Sequence, residues 1–171
     1  EMENCLTNLS VGGDYATSIP DELEMYASVF VCLGIYSSNH VLSTVEGQAL
    51  ADYLNGGGNL YMEGGDTWYY DQQTPVHSMF GINGTEDGTD DLGTLLGQSG
   101  TFTDGMSFNY SGENNYIDHL SPTGSAFTIF TNQSPNYGTA VANMGSTYRS
   151  IGSSHEFGGL DDGEYSKDFL M

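Results

Sequence analysis

Glu63 and Asp66 stand three residues apart around Gly64 and Gly65, and Thr67, Trp68 and Tyr69 follow directly. Two carboxylates on so tight a bend can pass protons to and from a substrate, with His77 as a nearby third titratable group. They can equally offer oxygens to a hard cation such as Ca²⁺, which needs several. The structural alternative has Asp66 capping the next turn and Glu63 accepting backbone N–H groups bared by the two glycines. The run Gly64, Gly65, Asp66, Thr67, Trp68, Tyr69 is the candidate ligand-binding segment. Its aromatic faces could floor a carbohydrate cleft, or pack over the end of a sheet.

Other residues capable of chemistry are more scattered. Asp87, Asp90 and Asp91 alternate oxygen donors as a calcium loop does, but the glutamate of an EF-hand's twelfth position is replaced by Gln98. A solvated acidic loop is the simpler reading. The run from Asp161 to Tyr165 reads as a turn leading into a helix. Cys32 with His40 or His77 is the one thiol–imidazole combination available, yet Cys32 falls inside an apolar run and reads as a buried small hydrophobe. His119 and His155 lack metal-ligand spacing. Arg149, the sole arginine, is expected to pair with carboxylates or to anchor a packing or subunit contact. Four Asn-X-Ser/Thr sequons, at Asn8, Asn83, Asn109 and Asn132, are candidate glycan acceptors.

The charge balance narrows the partners. The 171-residue chain carries 23 carboxylates against Arg149 and Lys167, a formal charge of −21. Such a surface repels nucleic acid and anionic lipid, and favours divalent cations, salt or a basic partner. No run approaches the roughly 20 apolar residues of a membrane span. The Ser-, Thr-, Asn-, Gly- and Tyr-rich polar positions suit an extracellular or cell-surface setting.

The elements expected to position these residues follow from pattern. Residues 1–9 read as a helix end, with Met2, Cys5, Leu6 and Leu9 on one face. "SVFVCLGIY" is a buried strand. Ser43 and Glu46 form a capping box for a helix with Val45, Ala49, Leu50, Tyr53 and Leu54 as its apolar stripe. "NLYME" is a second buried strand, so Val29 to Glu63 is a strand–helix–strand unit suited to a parallel crossover. "TPVHSMFGI" suggests a short helix, residues 83–101 a long polar loop, and the second half a series of short strands. Together these predict one domain over residues 1–171, with helices on both faces of the sheet. The opening helix without a strand before it, and the apolar C-terminus, suggest a segment of a longer polypeptide. A strand supplied from outside is then expected to complete the middle of the sheet.

The stretch from Tyr26 to Ile82, with its Gly-Gly-Asn-Leu-Tyr-Met-Glu-Gly-Gly-Asp-Thr-Trp run, resembles a class I glutamine-amidotransferase-like domain of the kind embedded in large secreted or cell-surface bacterial proteins. That resemblance implies a flavodoxin-like three-layer α/β/α sandwich, its sheet partly parallel with antiparallel strands in the second half. Catalytic members of the family carry a cysteine on the turn after the second strand, completed by a histidine and a carboxylate. Here the turn offers Glu63, Gly64, Gly65 and Asp66, with no Cys or Ser before Ser78. The expectation is therefore a non-catalytic structural or interaction domain, without a cofactor, meeting the rest of its polypeptide or identical subunits. The alternatives are a carbohydrate- or Ca²⁺-binding module at Glu63 to Trp68, and a hydrolase using Glu63, Asp66 and His77. Cys32, or any hydroxyl, placed on the bend beside an imidazole would overturn the first reading.

Overall fold

A computed structural model describes residues 1–161 and 167–170 of the chain. In chain order it contains α1 (Met2–Asn8), a 3₁₀ turn at Leu23–Met25, β1 (Val29–Cys32), α2 (Thr44–Asn55) and β2 (Asn59–Glu63). A second 3₁₀ turn at His77–Met79 leads to β3 (Ile82–Glu86), β4 (Thr94–Gly97), β5 (Ser107–Asn109), β6 (His119–Pro122) and β7 (Phe127–Asn132). β8 (Tyr137–Met144), β9 (Arg149–Ser153) and 3₁₀ turns at Phe157–Gly159 and Lys167–Leu170 complete it. Most of the acidic run from Asp161 to Tyr165, with its expected helix start, lies outside the described residues.

The nine strands form one mixed sheet ordered β1-β2-β9-β8-β7-β4-β5, with β3 on β6 and β6 on β8. β1, β2 and β9 run parallel, and every other pairing is antiparallel. The sheet curls into a half-barrel, with only two α-helices among the described residues. This overturns the flavodoxin-like three-layer sandwich. That architecture needs repeated crossover helices covering both faces. Here only α2 is a full crossover helix, and after β2 the chain supplies short β-prone runs instead. Residues 83–101, expected as loop, contribute β3 and β4. The curled sheet encloses its own second core, where Leu95, Phe108, Ile117, Phe130 and Tyr137 meet Cys5 of α1. The sheet path is also continuous within one chain, which removes the reason for expecting an outside strand in its middle.

The crossover itself follows the sequence closely. The Ser43 hydroxyl accepts the Glu46 N–H at 3.3 Å, and the Glu46 carboxylate accepts the Ser43 N–H at 2.8 Å. Leu50, Ala51, Tyr53 and Leu54 of α2 pack with Leu60 and Met62 of β2, Trp68, Val76 and Phe80. Val45, placed in the stripe by its apolarity, is 80% exposed on the opposite face. Gly47 takes the inner position instead, because any side chain there would strike Thr74. That close approach seats the loop carrying His77 against the helix.

Candidate functional site

Parallel strands bring the candidate residues to one end of the sheet, since Cys32, Glu63 and Ser153 pair in a single row at the ends of β1, β2 and β9. The carboxyl ends of parallel strands are where open α/β sheets bind ligands. Beyond Glu63 the bend threads between the neighbouring strand exits. The Gly64 N–H donates to the Ser153 carbonyl and the Gly65 N–H to the Gly34 carbonyl, each at 3.1 Å. The Gly65 carbonyl accepts the Asp118 N–H at 2.9 Å.

Both carboxylates of the bend are buried and already bonded. Glu63 Oε2 accepts the Phe157 N–H and the Tyr61 hydroxyl, each at 2.7 Å. Burial raises its pKa, against the pull of those donors. Asp66 Oδ2 accepts the Tyr36 N–H at 3.1 Å, and its pKa is raised by burial and by Asp71 and Asp87. Glu63 thus fastens the segment after β9, while Asp66 fastens the segment after β1. No hydrogen bond or shared donor joins them into an acid–base pair.

The third carboxyl at the bend, Asp118, is one that sequence reasoning missed. Its Oδ2 accepts the N–H groups of Trp68 and Tyr69, both at 2.8 Å, while Oδ1 is buried without a partner. Burial, aided by Asp66 and Asp87, pushes its pKa up to about 8 despite those two donors. The surrounding letters, Ile117-Asp118-His119-Leu120, carry only an acid among apolar residues as a signal. Its partners lie 49 and 50 residues away.

A hydroxyl does stand beside an imidazole here. Thr67 Oγ1 lies 3.2 Å from His77 Nε2, and both residues are buried. The direction of the hydrogen bond decides what that pair can do. His77 Nδ1 lies 2.9 Å from the Thr74 N–H, which can only donate, so Nδ1 carries the lone pair. In the neutral ring the proton therefore sits on Nε2 and is donated to Thr67. Burial lowers the His77 pKa, keeping the ring neutral. A general base needs the opposite arrangement, with a lone pair facing the hydroxyl. Thr67 and His77 form a structural hydrogen bond.

Trp68 takes the packing alternative of the sequence reading. It is buried, its indole N–H donating to the Ser153 carbonyl at 2.9 Å. Its ring occupies a notch left by Gly152, where an added Cβ would lie 2.6 Å from the indole. Trp68 therefore belongs to the core, whereas Tyr69 and Tyr70 are exposed.

The remaining candidates disperse. Asp91 Oδ1 accepts the Tyr137 hydroxyl at 2.9 Å, Asp87 lies toward His119, and Asp90 is exposed with a left-handed backbone. Among the described residues no group of three His, Cys, Asp or Glu side chains is disposed to hold a metal. Cys32 is exposed, not buried, because β1 is an edge strand. Its thiol is pushed up to about 12 by desolvation and by Glu63. Of its proposed partners, His40 pairs with Glu46 at 2.9 Å and His77 with Thr67 and Thr74. Arg149 is exposed at the start of β9, opposite the Glu63 end. Asn132 is buried, its amide held by Asp91, Pro135 and Gly93, so it cannot accept a glycan in the folded chain. Asn8, Asn83 and Asn109 are exposed.

An open groove of about 470 Å³ lies at this end of the sheet, lined by residues 34–38, Glu113, Asn115, Tyr116 and Glu156.

No family model and no curated protein matches the sequence. Solved structures do share the fold. The β-galactosidase from Rahnella sp. R3 matches with a TM-score of 0.65 and 13% identity, over 97% of this chain and 25% of the enzyme. The mmIFT52 N-terminal domain matches at 0.62 and 12% identity, over 89% of this chain and 76% of that one. Cytoplasmic Protein STM1381 from Salmonella typhimurium LT2 matches at 0.61 and 12% identity, over 89% and 73%. The chain thus spans about a quarter of the β-galactosidase's length, and identities this low establish a shared fold alone. Among the matching structures are β-galactosidases, an exo-β-1,4-mannosidase, the mmIFT52 N-terminal domain and cytoplasmic proteins, none of these described as an amidotransferase. Expectations of export and glycosylation gain no support from them.

Proposed function

We propose that this chain is a non-catalytic binding domain that serves a larger polypeptide or assembly. The observation that carries this is that Glu63, Asp66, Asp118 and His77 at the β2 bend each hold backbone or a neighbouring loop in place. Glu63 holds Phe157, Asp66 holds Tyr36, Asp118 holds Trp68 and Tyr69, and His77 is locked with its proton toward Thr67. Catalysis needs groups that change partners as charge develops, and apart from the unpartnered Oδ1 of Asp118 these groups are held by fixed backbone and loop contacts. The occurrence of the fold as about a quarter of a β-galactosidase chain supports this reading.

The test is hydrolysis of activated esters, γ-glutamyl anilides and nitrophenyl galactosides by the wild-type chain, beside Thr67→Val and His77→Gln. No turnover above buffer is expected. Turnover that Thr67→Val abolishes would establish the bend as an active site and refute the proposal.

A further inference from the structure

We infer that the groove beside the bend receives an organic cation, an alkylammonium or guanidinium group, between Tyr36 and Tyr116 and against the Glu113 and Glu156 carboxylates. This deepens the reading of the chain as a binding domain, on which it rests, by naming the chemistry of what it binds.

The walls are a tyrosine pair and two acids. Tyr36 and Tyr116 meet edge to face, with centroids 5.5 Å apart and planes at 88°. They remain 56% and 43% exposed, so aromatic surface is presented to the groove and not spent in the core. A cation over such a ring gains from its quadrupole. The pair is held by the bend itself. Asp66 fixes the Tyr36 N–H, and the Tyr116 carbonyl lies 3.0 Å from where a Cβ on Gly65 would stand. Gly65, one of the two glycines that resemble a nucleophile turn, thus lets the groove wall approach.

Of the two acids, Glu156 is the one left without a partner among the described residues. Glu113 Oε1 is occupied by the N–H groups of Asn114 and Asn115 and by the Asn115 amide, at 3.0 to 3.1 Å. Among the described residues the half-buried Glu156 carboxylate has no hydrogen-bond donor and no cation. Its pKa is raised first by desolvation and then by the Glu113 charge, as expected of a part-buried carboxylate without a compensating partner. The chain's own cations are elsewhere, Lys167 on Glu1 and Arg149 at the far end of β9. A neutral sugar would leave the repulsion in place, whereas a cation removes it. The groove's volume, about 470 Å³, suits an organic group rather than a bare ion.

The experiment is an NMR titration of the isotope-labelled chain with Nα-acetyl-arginine amide, with galactose and CaCl₂ as parallel arms. An arginine-containing peptide distinguishes a protein source from a free amine. Saturable shifts are expected at residues 34–38 and at Asn115 and Tyr116. Glu156→Gln should weaken them about tenfold and Tyr36→Leu several-fold. Glu24→Gln, an exposed charge before β1, should leave them unchanged. Absent or unsaturable shifts would overturn the proposal. So would equal weakening by Glu24→Gln, which marks diffuse attraction, or preferential response to galactose or calcium. Unchanged spectra elsewhere confirm that each variant folds. Hydrolysis at the bend would sink the non-catalytic reading without touching this titration, so the two failures are distinguishable.

Discussion

Replacing Asp118 by asparagine separates charge from hydrogen bonding at the bend. The wild-type carboxyl is wholly buried, gives Oδ2 to two N–H groups, and has a pKa pushed up to about 8 from an ordinary 3.8. Below the ordinary value both folded and unfolded chains hold the proton. Between 3.8 and about 8 the unfolded chain releases it while the folded chain keeps it, so stability falls as pH rises. Above about 8 the penalty is complete. At about 1.4 kcal/mol for each pH unit separating the two values, it approaches about 6 kcal/mol, an upper figure because the surroundings relax around a buried charge. That is comparable with the whole stability of a typical domain, about 5–15 kcal/mol. The substituted side chain would keep an acceptor oxygen for Trp68 and Tyr69, and would turn an amide toward Asp66 and Asp87. Urea denaturation from pH 4 to pH 9 should show wild type and Asp118→Asn nearly equal at the acid end. The variant should lead by several kcal/mol at pH 9. Parallel curves, or a variant that is weaker at pH 9, would refute the reasoning.

Two further outcomes follow from the same contacts. Gly152→Ala drives a methyl into the Trp68 indole and should cost about 1–3 kcal/mol, with a shift in tryptophan fluorescence; unchanged stability and fluorescence would remove Trp68 from the notch. Cys32, although exposed, should react with a disulfide reagent at pH 8 roughly tenfold or more slowly than a free thiol, and Glu63→Gln should accelerate it; a fast wild-type thiol would contradict the link to Glu63.

What was legible in the sequence was local. The capping box at Ser43 and Glu46 is a contact across three residues, and the crossover from Val29 to Glu63 is set by hydrophobic runs of the right length. The curled architecture was not legible, because it depends on how short strands find partners. β9 lies beside β2 although some 90 residues separate their pairs, from Asn59↔Arg149 to Glu63↔Ser153. Trp68 reads equally as a cleft floor or as sheet packing until Gly152 is seen opposite it. Val45 reads as core until Gly47 proves to be the inner residue. The exposure of Cys32 follows from β1 lying at the sheet edge, which an apolar run cannot reveal. At the bend, residue types alone left an acid pair, a metal site and a structural clamp open, and only the direction of each hydrogen bond separated them.

That direction is most directly measured at His77. Nitrogen-15 NMR of the imidazoles should show His77 as the neutral tautomer protonated at Nε2, with an unprotonated Nδ1 facing the Thr74 N–H, and titrating below the ordinary histidine pKa of 6.5. A His77 protonated at Nδ1, presenting an Nε2 lone pair to the Thr67 hydroxyl, would make the bend a nucleophile–base pair and contradict the account.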